Sequence, residues 1–88
     1  MEEFNLSGNH LRNEGIIEVF RGLSINKKLK KIYLADNQFN EHESVMNAIE
    51  GCWLKNKTLG RYDLRYNTFS DEGILTVCLI FSRYYSHD

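Results

Sequence analysis

The chain contains no proline, two cysteines and one tryptophan in 88 residues. With no proline and no linker-like stretch, nothing divides it. This length suits one small domain, residues 1–88, that buries a modest share of its surface. An excess of either charge is missing too: eleven Lys and Arg stand against twelve Asp and Glu, a formal net charge of −1. Non-specific binding to nucleic acid needs a basic surplus that displaces counterions, so that partner class is excluded. No apolar run approaches the roughly 20 residues of a membrane span. The acidic opening, Met1 to Asn5, does not resemble a signal peptide. The expectation is a cytoplasmic protein without a membrane partner.

Several chemistries lack their motifs. No nucleophile-elbow, metalloprotease or phosphate-loop spacing occurs, and no enzyme activity or cofactor is expected. The histidines at 10, 42 and 87 do not cluster with Cys52 and Cys78, so no zinc pattern forms. Both cysteines fall in helix-like segments and read as reduced thiols, one or both in the core. Asp71-Glu72 is an acidic pair placed where a helix start favours negative charge, which makes it a capping feature rather than a catalytic one.

What the chain does contain is one pattern written three times. Leu29, Ile32, Leu34, Asn37 and Phe39 recur 28 residues earlier as Met1, Phe4, Leu6, Asn9 and Leu11. They recur again 30 residues later as Leu59, Tyr62, Leu64, Asn67 and Phe69. Self-similarity at such a period is the signature of a repeat protein, with units at about 1–28, 29–58 and 59–88. Each unit opens with apolar residues two apart, which aims them at one face of a strand. Strands are expected at about 3–7, 31–35 and 61–65. A helix lies between each pair, so they should be parallel and joined by crossovers. Asn9, Asn37 and Asn67 follow the strands among apolar neighbours. A polar side chain there needs partners, and stacked units would set the three amides in a column, a structural ladder.

Helices are expected at about 14–23, 41–54 and 71–84, started by Asn13, Asn40 and Ser70 as capping residues. Glu43 stands three after Asn40, as in a capping box. The core faces read Ile16, Phe20 and Leu23, then Val45, Ile49 and Cys52, then Ile74, Cys78 and Phe81. Asn26 and Asn56 are expected to end the first two helices in the left-handed conformation.

Leu-x-x-Ile-x-Leu-x-x-Asn-x-Phe at a period of 28–30 residues resembles the ribonuclease-inhibitor type of leucine-rich repeat. Gly15 and Gly73, six residues after a ladder asparagine, and the Asn-Lys-x-Leu lead-ins belong to the same resemblance. That group includes ribonuclease inhibitor, Ran GTPase-activating protein and tropomodulin. Glu43 and Ser44 depart from the pattern, as do Met1 and Tyr62 in place of leucines, which should loosen packing in the second unit. The resemblance implies an α/β solenoid, a right-handed arc of three strand–helix repeats with a parallel sheet on its concave face. It also implies a protein-interaction module, with regulation of a small GTPase or a scaffold segment of a cytoskeletal or ciliary assembly as alternatives.

The concave face would carry the partner site: Lys31, Tyr33, Arg61, Asp63, Arg65 and Tyr66. Tyrosine and arginine are enriched at binding hot spots. The alternative is that these charges pair with one another and simply solvate the sheet. The third helix is apolar nearly all round, with Leu75 and Leu79 on a second face that needs cover. Self-association or further repeats would supply it, as in a segment of a longer array.

Overall fold

Alternation carries only three residues of each unit into a strand. In the computed structural model, which describes residues 2–83 with side chains as far as residue 80, β1 spans Glu3–Asn5, β2 Lys31–Tyr33 and β3 Arg61–Asp63. They alternate with α1 (Arg12–Ile25), α2 (Glu43–Lys55) and α3 (Asp71–Arg83). Met1, His87 and the side chain of Phe81 lie outside the described residues. The three strands form one parallel sheet in chain order, with Glu3, Lys31 and Arg61 in register, then Phe4, Ile32 and Tyr62, then Asn5, Tyr33 and Asp63. Each strand ends two residues before its expected limit because the chain turns. Gly8, Asp36 and Tyr66 hold positive φ of 76°, 56° and 60°. Backbone pairing nevertheless continues past the strands. Leu6 and Gly8 donate to the carbonyls of Tyr33 and Ala35, and Leu34 and Asp36 donate to those of Asp63 and Arg65, at 2.8–3.1 Å.

Ile32 and Leu34 point inward and meet Ile16, Phe20 and Leu23 of α1 and Val45, Ile49 and Cys52 of α2, all buried. The second unit is not loosened. Val45 follows Asn37 by eight residues, where Ile16 follows Asn9 by seven. Val45 therefore takes the core position, and Ser44 faces solvent. Tyr62, at a leucine position, fills its place with an aromatic ring: Phe20 stacks at 6.3 Å, Trp53 tilts at 5.8 Å, and the hydroxyl lies 3.7 Å from Cys52 Sγ. Burial pushes the Cys52 thiol pKa up, so it stays protonated.

The asparagines join the units. Asn37 is fully buried. Its Oδ1 accepts from the backbone N–H groups of Asn9 and Leu11 at 2.9 and 3.2 Å, and its Nδ2 donates to Leu6 O at 3.0 Å and to Leu34 O and Ala35 O of its own loop. Asn67 repeats the arrangement one unit later. It accepts from Asn37 N–H at 2.6 Å and donates to Leu34 O and Leu64 O. Each amide thus satisfies backbone groups of the unit before it.

A second amide contact was not legible from helix-end rules. Asn26 and Asn56 are extended (φ −76° and −91°), not left-handed. Their side chains do the work instead: each Oδ1 accepts two backbone N–H groups of its own lead-in, from Lys28 and Leu29 or from Thr58 and Leu59. Asn56 Nδ2 also reaches back to Leu23 O and Asn26 O at 2.6 and 2.9 Å.

Helix starts differ from the sequence reading as well. Asn13 lies inside α1, which begins without a side-chain cap, and exchanges hydrogen bonds with Asn40 across the units. His42, not Asn40, caps α2 through Nδ1, which accepts from Ser44 N–H, so no capping box forms. Ser70 Oγ accepts from Gly73 N–H as expected of a cap, and donates to Glu41 Oε2 at 2.5 Å. The Ser70 hydroxyl, more than its backbone N–H, holds the Glu41 carboxyl below its ordinary range. A Cβ at Gly73 would meet the Glu41 side chain, which would have to move from Ser70 to make room.

The α3 face expected to be core is open. Ile74 is 51% exposed and Cys78 is exposed, while Ile80 and Gly73 are buried toward α2. Ile74 and Cys78 occupy the unit positions of Ile16 and Phe20, which are buried because the next unit covers them. The helix face is as expected; among the described residues its cover is missing.

Replacing Asn37 by Ala strands the N–H groups of Asn9 and Leu11, and an unsatisfied buried group costs about 1–3 kcal/mol. Asn37→Ala and Asn56→Ala should therefore lower denaturant midpoints clearly, Asn26→Ala less because its amide reaches no other unit, and exposed Lys57→Ala hardly at all. Equal midpoints for Asn37→Ala and Lys57→Ala would show that the amide does not join the units.

Candidate functional site

Side chains at the first and third positions of each strand leave the sheet on the face away from the helices. Two rows cross that face: Glu3, Lys31 and Arg61, then Asn5, Tyr33 and Asp63. In the first row Lys31 Nζ lies 3.5 Å from Glu3 Oε2. The Tyr33 hydroxyl donates to Glu3 Oε1 at 3.3 Å, so one glutamate ties the rows together. Arg61 has no hydrogen-bond or ion-pair partner for its guanidinium among the described residues. Lys31 and Arg61 stand side by side, and the sheet carries like charge there.

Arg65 lies two residues beyond β3, not on it. Asp63 Oδ1 accepts from Arg65 N–H at 3.2 Å, which bends the chain, and the same turn recurs where Asn5 Oδ1 accepts from Ser7 N–H at 2.8 Å. The bend brings the guanidinium back as a fork, with Nε to Oδ1 and Nη2 to Oδ2 at 2.9 Å each. A two-point fork fixes geometry as well as charge. The Asp63 side chain is 11% exposed and that of Arg65 70%, so the pair presents arginine outward and carboxylate inward. Hydrogen bonding from Arg65 holds the Asp63 carboxyl below its ordinary range, and the same pair raises the Arg65 guanidinium.

Tyr66 completes the cluster. The Arg65 guanidinium carbon lies 5.5 Å from its ring centroid, within cation–π reach. The ring is 76% exposed, on a residue whose φ of 60° is costly for a bulky side chain. The first unit has Gly8 at this position, where a left-handed φ is free of that cost.

The structure therefore divides the six residues. Lys31 and Tyr33 gather on Glu3, and Asp63, Arg65 and Tyr66 form one braced unit. Arg61 stands between them, without a hydrogen-bond partner among the described residues, and its charge helps to hold the Asp63 carboxyl down. Asn9, Asn37 and Asn67 lie at the edge of this face with their amides turned into the loops. Pairing among these charges was an alternative reading of the sequence, and Asp63 and Arg65 do pair; the two-point fork geometry and the Glu3 bridge were not legible there. Among the described residues no three His, Cys, Asp or Glu side chains gather for a metal ion, and no helix is long and apolar enough to cross a membrane.

The fork has a pH signature. Asp63 is depressed in the folded chain, so its contribution to stability is fully present above the ordinary aspartate range and is lost as pH falls from there through the lowered folded value. Arg65→Gln should move the Asp63 carboxyl titration, followed by NMR, upward toward the ordinary value. An unmoved midpoint would show that the fork does not form in solution.

Residues 1–20 and 55–78, together half of the chain, match the family described as Leucine Rich repeat, and these segments contain β1, the start of α1, β3 and most of α3. No curated protein was found to match the chain. Domains of this family generally bind other proteins rather than catalyse reactions. The matched segments, the three strand–helix units and the asparagines that join them agree, and the chain belongs to the leucine-rich repeat family.

Proposed function

We propose that the chain is a protein-interaction module of the cytosol, a leucine-rich repeat domain of the ribonuclease-inhibitor type. Its three repeats, at about 1–28, 29–58 and 59–88, form a short right-handed solenoid arc that binds a partner on the concave sheet face. The observation that carries the reading is Tyr66, a large ring left in water on an unfavourable backbone. An exposed ring gains nothing from burial there, and glycine would fit the turn at less cost. Strain kept without a packing benefit supports a functional role. The ring is already braced by Arg65, and Arg65 by Asp63. Little conformational freedom remains to be lost on binding, which favours affinity.

The chemistry of the face limits the partner. The fork of Arg65 is largely used on Asp63, so Tyr66 and Tyr33 offer ring surface and Arg61 offers a guanidinium without a hydrogen-bond partner among the described residues. A protein surface with a carboxylate beside an apolar patch fits this set. Leu75 and Leu79, 63% and 61% exposed, belong to a different surface, open to self-association or further repeats.

The test is retention from native extract, followed by affinity measurement with the protein identified. Tyr33→Ala with Arg65→Glu should weaken binding about tenfold or more, roughly 1.4 kcal/mol or above. Reversal of Lys27 and Lys28, in a loop off this face, should change little. Tyr66→Gly should weaken binding while leaving the melting temperature equal or higher. If the loop reversal abolishes binding and the concave changes do not, the partner docks elsewhere.

A further inference from the structure

The formal net charge of −1 conceals a division within each unit. The lead-ins from helix end to strand start, residues 25–31 and 54–61, hold Lys27, Lys28, Lys30 and Lys31, then Lys55, Lys57 and Arg61, and no acid. Strand ends and helix starts lie at the other end of the unit. They carry Glu14, Asp36, Glu41, Glu43, Asp71 and Glu72 against two arginines, Arg12 and Arg65. Stacking sets the two lead-ins side by side. Gly60 and Arg61 donate their N–H groups to Lys30 O at 2.9 and 3.1 Å, and Asn56 Nδ2 reaches Asn26 O at 2.9 Å. One edge of the molecule therefore gathers most of its cations.

The helices do not account for these lysines. A cation steadies a helix C-terminus within the last turn, and only Lys55 lies in one; α1 has no base there. Lys27, Lys28 and Lys57 stand past the helices, exposed. Acids do not account for them either. Lys30 and Lys31 pair with Glu2 and Glu3 at 3.8 and 3.5 Å, whereas Lys27, Lys28, Lys55 and Lys57 have no side-chain partner among the described residues. The same edge exposes two aliphatic side chains. Ile25 ends α1, and Leu54 holds the same place in α2, counted from Ile16 and Val45. They are 72% and 43% exposed. Aliphatic groups among lysines suit the boundary of a bilayer, where they enter the headgroup layer while the ammonium groups stay at the phosphates. Lysine in place of arginine favours that occupant over an acidic protein. An ammonium is a compact, hydrated charge without the fork that matches a carboxylate of fixed geometry.

We infer that the lead-in edge, with Ile25 and Leu54 among Lys27, Lys28, Lys55 and Lys57, is a docking surface for an anionic phospholipid membrane. No described helix is long and apolar enough to cross a bilayer, and a surface contact needs none. The contact does not rest on the concave-face reading, because these six residues lie off that face.

Vesicle flotation tests it. The unmodified chain should bind vesicles of phosphatidylcholine and phosphatidylserine in equal parts, and should leave vesicles of phosphatidylcholine alone. High salt should release it, because exposed charges are screened. A lysine near an anionic surface is worth about fivefold in partitioning, so Lys27→Glu with Lys28→Glu should weaken binding at least about tenfold. Ile25→Ser with Leu54→Ser should weaken it about tenfold with the charge unchanged. Spin-labelled lipid should broaden the amide signals of Ile25 and Leu54 before those of Leu75 and Leu79, which α3 also exposes. No binding to the mixed vesicles, binding that survives the charge reversal, or broadening that begins at Leu75 and Leu79 would overturn the inference. Capture of polyglutamate or an oligonucleotide through Lys27 and Lys28, without vesicle binding, assigns the edge to another partner class and overturns it too. All substituted side chains are exposed, and unchanged thermal melts exclude unfolding as the cause. The lysine reversal should keep the concave-face partner, which separates failure of this contact from failure of that site.

Discussion

Every loop that follows a strand leaves backbone N–H groups that its own unit cannot satisfy, and the asparagine of the next unit takes them. Asn37 does this for the first unit and Asn67 for the second. A buried donor without an acceptor is costly, so the units are not independent pieces that happen to touch. The core follows from that coupling. Once the amides set the spacing and the strands pair, Ile16, Phe20 and Leu23 close over Ile32 and Leu34, and α2 covers α1. The same coupling runs both ways, since the amides also donate to carbonyls of the unit before them.

The ladder also shapes the loops beside the proposed binding face. Loops turned inward to serve the ladder force left-handed backbone at Gly8, Asp36 and Tyr66. The third of these positions holds a tyrosine where the first holds glycine, and Asp63 and Arg65 brace the ring from behind. Rigid backbone with a few ordered aromatic and arginine side chains is a surface suited to binding rather than to bond making. The thiol of Cys52 is buried beside Tyr62 and held protonated, which leaves it in the core rather than at a reactive site.

Much of this was legible in the chain itself. The threefold recurrence of Leu, Leu and Asn predicts three strands, their parallel order and the residues of their inner faces, because period and burial are tied by geometry. Helix ends were less legible. The second helix is capped by His42, two residues past Asn40, and a rule based on residue type alone does not find that cap. Asn26 and Asn56 look like helix terminators, yet their amides bind neighbouring backbone instead, a role visible only once the units are stacked. Ile74 and Cys78 share a helix face, as their spacing predicts, but they are not buried, since burial at those positions needs cover from a neighbour beyond the third unit. At the candidate site the residues came from alternation, whereas the Arg65 fork and the Glu3 bridge depend on a turn and on side-chain reach.

The coupling between units is best measured by amide hydrogen exchange in dilute solution, residue by residue. Asn9, Leu34 and Asn37 donate to the following unit and should exchange slowly, with protection near that of the global unfolding equilibrium. Leu64, Tyr66 and Asn67 occupy the same positions in the third unit and should exchange close to the unprotected rate. Protection of Asn67 equal to that of Asn37 would contradict the account, as would fast exchange at Asn37.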